Sequence, residues 1–202
     1  MIDKNRVKVD KFLRGIPIVG QLYRITNSYV FEGAPEGHSQ IAPFAMWKER
    51  LFKNVLVSLI IAVIIIFCIG CDFSKWAVIP PSIILSVFPS ILGFGIGAYA
   101  LLFIMPNDFL KDLICRAKNR GFGPEMIIVD MSYPLVVFIE VIAIGGISSL
   151  FKNSFIWNSV SLFFLLYGLC MLVELMMFLF NSSFIIHKIR RNKSALFYKD
   201  KK

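Results

Sequence analysis

The chain has 202 residues, of which 57% are hydrophobic and only 17% charged. Soluble domains are about 45–50% apolar on this kind of count, so a soluble globule of this length is excluded. The net charge of +9 does not point to nucleic acid, because Lys and Arg cluster just outside the apolar runs, where they set membrane orientation and meet anionic head groups.

Residues 1–53 form a basic region, read as cytoplasmic or interfacial. Within it FLRGIPIVGQLYRI (Phe12 to Ile25) mixes apolar and basic residues with Gly15, Pro17 and Gly20. It is too broken to span a bilayer and reads as an amphipathic segment lying on its surface. FEGAPEGHSQ (Phe31 to Gln40) reads as loop. The first apolar run begins after about fifty residues, too late for a cleavable signal peptide.

Residues 54–186 hold four spans, expected near 54–71, 77–105, 126–151 and 155–186. Each is long enough for roughly 30 Å of hydrocarbon. In lipid each must be helical, since a lone strand leaves its backbone groups unsatisfied. Pro80-Pro81 suits a helix start. Asn107 to Gly121 reads as a short interfacial helix within a cytoplasmic loop at 106–125. The fourth span exceeds the bilayer thickness and so tilts or protrudes. Residues 187–202 are a basic tail. Trp47, Trp76 and Trp157 fall near span ends, as an aromatic belt requires.

Orientation follows from the positive charges. Residues 1–53 hold nine Lys/Arg, 106–125 four and 187–202 seven, while the two opposite turns hold only Lys75 and Lys152. The expectation is an all-α integral protein of the inner (plasma) membrane, a four-transmembrane-helix bundle with both termini in the cytoplasm.

The second span carries Pro89 and glycines at 93, 95 and 97. Ser86, Ser90, Gly93, Gly97 and Ala100 recur at spacings of three and four, giving a small-residue stripe that admits close helix packing in lipid. A second reading makes this span line a pore or hinge in one, with Pro89 as the bend and Phe88 or Phe94 as an apolar constriction.

Two carboxylates, Glu140 and Glu174, lie inside apolar helices, where a charge needs a partner or water. Counting from the cytoplasmic ends of their spans puts both about 20 Å deep, at roughly 1.5 Å per residue. Three roles stay open: a hydrogen-bonded structural pair, a cation or proton path, or a contact with another subunit or protein. Gly145 and Gly146, just over one turn beyond Glu140, would leave room for water. Asp130 reads as solvated at head-group level.

Cys68 and Cys71 form a C-x-x-C with no βαβ pattern around it, and with Cys115 and Cys170 they read as buried thiols. There is no metal-ligand spacing, G-x-S-x-G, P-loop or dinucleotide fingerprint. No enzyme, cofactor or metal is expected.

ILGFGIGAYALLF followed by NDFLKDL (Ile91 to Phe103, Asn107 to Leu113) resembles small four-helix membrane proteins that serve as accessories or effectors in bacterial antiphage and CRISPR-type loci. The resemblance implies action on the membrane, by forming pores or changing its potential, and supplies no site residue. The expected function is a homo-oligomeric channel or membrane-permeabilising protein. The alternatives are a non-conducting scaffold that recruits a cytosolic protein partner, and a small transporter. The expected partners are membrane lipids, further copies of the chain and possible cytosolic proteins, not nucleic acid.

Overall fold

The computed structural model describes residues 4–68, 79–101, 104, 124–151 and 154–199. Among them the fold is all-α. Helices α1 (Lys4–Arg14) and α2 (Val19–Val30) precede four long ones: α3 (Phe44–Cys68), α4 (Pro80–Leu101), α5 (Pro124–Leu150) and α6 (Phe155–Lys199). Four segments are long and apolar enough to cross a membrane: Phe44–Cys68, Pro80–Leu101, Glu125–Leu150 and Phe155–Phe184. The expected interfacial helix at 107–121 and the turn at 71–76 lie outside the described residues, as do Cys71, Cys115 and Trp76.

The first span starts ten residues earlier than the expected Asn54. The helix runs through four charged residues, Lys48, Glu49, Arg50 and Lys53, and takes one π turn over Lys48–Phe52. Charge alone does not stop a helix whose charged side chains find partners or water near its end. Such π turns recur at functional sites, and this one contains Arg50.

Helices α4, α5 and α6 make the core. Ile84, Phe88, Phe138, Val141, Met171 and Leu175 are all essentially buried. Three glycines set how closely the helices approach. A β-carbon at Gly95 would strike Leu135, one at Gly145 would strike Ile84, and one at Gly168 would strike Phe88. Each glycine thus receives a side chain from a neighbouring helix, and small residues at such crossings are the ordinary means of close packing in lipid. Ile84 takes up the room expected for water at Gly145.

One expectation for α4 changes. Phe88 is 1% exposed and packs edge-on to Phe138 with ring centroids 5.8 Å apart. It is a packing knob inside the single chain, not a side chain facing a pore. Pro89 lies inside α4, which continues through it to Leu101.

Helix α3 is attached by a narrow stripe. Leu51, Ser58 and Ala62 are buried, at helical spacing, and Ala62 packs with Leu162 of α6. Most of its remaining apolar surface is exposed, as on α4.

Candidate functional site

The site depends on where α2 ends, and a set of buried polar contacts fixes that point. Asp10 is 2% exposed and receives the Arg14 Nε (2.7 Å) and the Tyr23 hydroxyl (2.9 Å), locking α1 to α2. Burial, and then the adjacent Asp10, raise the Tyr23 phenol above its ordinary value, so it stays a donor. Asn27 is fully buried. Its Nδ2 donates to the carbonyls of Gly37 and Gln40, and its Oδ1 accepts from the Ala42 N–H. One side chain therefore satisfies three backbone groups of the α2–α3 connection, as burial of polar backbone demands. Gly33 has φ +76 and lies against the Glu125–Met126 backbone, where a β-carbon would collide. Only glycine meets both demands.

With α2 so held, the Tyr29 ring stacks on Tyr133 of α5, centroids 4.1 Å apart and 16° from parallel. Its hydroxyl donates to Glu174 Oε2 at 3.2 Å. The other carboxylate oxygen, Oε1, accepts from Asn54 Nδ2 of α3. Burial, and then the Glu174 charge, raise the Tyr29 phenol, with Arg50 opposing, so this hydroxyl too remains a neutral donor.

Arg50 serves three neighbours. Its Nη1 lies 2.9 Å from Asp130 Oδ1 and 2.7 Å from the Tyr29 carbonyl, and its Nε lies 3.3 Å from Glu32 Oε1. The guanidinium also stands 4.8 Å from the Tyr29 ring centre, within cation–π range. Glu32 pairs from a left-handed conformation, φ 57. Asp130, expected to be solvated, is instead an ion-pair partner whose side chain is 21% exposed.

These groups border an open cavity of about 490 Å³. Glu174, Asn54 and Tyr29 line it together with Arg50, Lys53 and Asp130. Val173 and Met177, on its α6 side, are exposed apolar residues.

Of the candidate pore and packing residues, Glu174 joins this cavity, as does Asp130, expected from the sequence to be solvated. Glu140 is half-buried and has no hydrogen-bond or ion-pair partner among the described residues. Between the surroundings of the two glutamates lies a buried hydroxyl pair, Tyr133 and Tyr167, 2.7 Å apart. Pro89, Ser90, Gly93, Phe94 and Gly97 are all exposed on α4. A β-carbon at Gly93 or Gly97 would meet open space.

Sequence reading passed over Tyr29, Arg50 and Asn54, and took Asp130 for a solvated residue. The available signal was Arg50 and Asn54 one helical turn apart, immediately before an apolar run. Among the described residues no three His, Cys, Asp or Glu side chains gather as a metal site. The chain matches no protein-family model, no curated protein and no solved structure.

Proposed function

We propose that the protein is a homo-oligomeric membrane channel or membrane-permeabilising protein with both termini in the cytoplasm. The observation that carries this reading is the outward face of α4. Ser86, Ser90, Gly93, Gly97 and Ala100 are all exposed there, and the two glycines face open space. Such a stripe serves close approach of another helix in lipid. The protomer interior is filled by Phe88, Phe138, Val141 and Leu175, so a conducting path runs between protomers rather than through one. Glu140, half-buried and unpaired among the described residues, is the carboxylate this reading places beside that path. Action on the membrane also agrees with the resemblance to defence accessories and effectors.

The test combines two measurements: the oligomeric state in mild detergent, and ion leak from liposomes reconstituted with the same protein. A monomer with no leak across a range of potential and pH overturns the channel. Cysteine labelling at positions 5 and 195 from the cytoplasmic side, and at 74 and 153 from the opposite side, checks the orientation.

One observation favours the scaffold as a second reading. Helix α6 continues from Phe184 to Lys199 beyond its span-length part, roughly 22 Å at about 1.5 Å per residue. It carries Lys188, Arg190, Arg191 and Lys193. A projecting basic helix suits an acidic cytosolic protein. Co-purification that depends on these four residues, without leak, would select this reading.

A further inference from the structure

We propose that the cavity between α3 and α6 holds the head group of a phospholipid bearing a primary amine, with the ammonium on Glu174 and the phosphate on Lys53. The inference goes beyond the channel reading and does not depend on conduction.

Position comes first. The cavity wall includes Asn181 and Ser182, within about one turn of Phe184, where the span-length part of α6 ends. Glu174 lies about two turns deeper on the same helix. The cavity therefore descends from head-group level into the apolar layer. Val173 is 63% and Met177 55% exposed beside it, so acyl chains have an apolar flank on which to lie.

Charge comes next. Glu174 is oriented by two neutral donors, Tyr29 and Asn54, and has no cationic partner among the described residues. The nearby guanidinium of Arg50 is already committed to Asp130, Glu32 and the Tyr29 carbonyl. A carboxylate has about four acceptor sites, so an arriving ammonium completes its hydrogen bonding and supplies the missing opposite charge. Lys53 also lines the cavity and has no ion-pair partner among the described residues. It is the cation available to a phosphate.

Selection among head groups follows from the lining. Three acids, Glu49, Asp130 and Glu174, face two bases, Arg50 and Lys53, which disfavours a head group that carries only negative charge. A quaternary ammonium is recognised by open aromatic faces. Of the two aromatic rings in this lining, Tyr29 is already engaged by Tyr133 and Arg50, and the half-buried Phe178 by itself does not make an aromatic cage. A primary ammonium needs acceptor oxygens, and these the cavity has. Its volume of about 490 Å³ lies within the range usual for small-molecule sites.

The experiment uses full-length protein in nanodiscs containing phosphatidylethanolamine, phosphatidylcholine and phosphatidylglycerol in equal amounts. Lipids retained on release are read by native mass spectrometry. Phosphatidylethanolamine should be enriched on the wild-type protein. Glu174→Gln, checked for normal elution and helicity, should lower that enrichment by about tenfold, the lower end for a lost hydrogen bond to a charged group. Lys53→Gln, at an exposed position and checked for elution and helicity in the same way, should lower it by a smaller factor. Equal retention of all three lipids, or enrichment unchanged in both variants, overturns the proposal. Lipid-stripped protein is titrated in parallel with O-phosphoethanolamine. Saturable binding there without lipid enrichment keeps the amine–phosphate chemistry but overturns the lipid as its source.

Discussion

Arg50 and Asp130 stand 80 positions apart in sequence and 2.9 Å apart in space. The pair joins the π turn of α3 to the first turns of α5, and α2 is caught between them because Arg50 also holds the Tyr29 carbonyl. Both side chains are about four-fifths buried, so the pair is shielded in a way surface ion pairs are not.

Removing either partner should therefore leave the other charge largely buried and uncompensated. Arg50→Gln and Asp130→Asn are each expected to lower stability by on the order of 1–3 kcal/mol, the range for hydrogen bonds to charged groups. The double variant should lose less than the sum of the two. Denaturation in detergent, followed by circular dichroism, measures all three. Additive losses would mean the two side chains do not act as a pair.

The glycines of α4 should separate by face. Gly95→Leu strikes Leu135 and should prevent the protomer from folding. Gly93→Leu and Gly97→Leu project into open space and should leave the chain folded while weakening the self-association that close packing at small residues would support. Thermal unfolding reports the first effect and cross-linking in membranes the second. Unchanged oligomers from Gly97→Leu would leave the stripe facing lipid.

Glutamine at the two intramembrane carboxylates keeps shape and removes charge. Glu140→Gln should assemble normally and alter leak, ion selectivity or pH response. Glu174→Gln should also assemble, because its amide oxygen can accept from Asn54 while its amide N–H donates to the Tyr29 hydroxyl oxygen, but it should lose its lipid preference. Wild-type conductance, selectivity and pH response in both variants, and in the double variant, would remove these residues from conduction.

Alkali should loosen the N-terminal hairpin. The Tyr23 phenol is raised above 10.0, first by burial and then by Asp10. The folded form thus holds its proton more tightly than the unfolded chain. The resulting stabilisation is complete below that pH and is lost as pH rises through it toward the folded value. Limited proteolysis between α1 and α2 should accelerate above about pH 10, and Tyr23→Phe should remove that part of the pH dependence. An identical profile in the variant would place the titration elsewhere.

Much of the architecture was legible in the sequence. Four apolar runs, the Pro80-Pro81 start of α4, and Trp47 and Trp157 near helix starts all depend on local matters: run length, hydropathy and the need of each backbone segment to satisfy its own hydrogen bonds in lipid. The early start of α3 was not legible, because Lys48 to Lys53 look like a boundary until Arg50 is seen to have partners on α2 and α5. Asp130 was misread for the same reason.

The stripe on α4 shows the division. Spacing alone puts Gly93 and Gly97 on one face and Gly95 on another, but it does not say which face turns inward. That choice belongs to Leu135, Ile84 and Phe88, which interlock with Gly95, Gly145 and Gly168 and so set the rotation and register of three helices. The same register separates the two glutamates, giving Glu174 two neutral donors on α2 and α3 and Glu140 none among the described residues. The sequence by itself determined that these segments are apolar helices, since that is a property of each segment alone. Which side chains meet was decided only when side-chain volumes fitted between helices distant in sequence, because packing depends on shape across the gap and not on order along the chain.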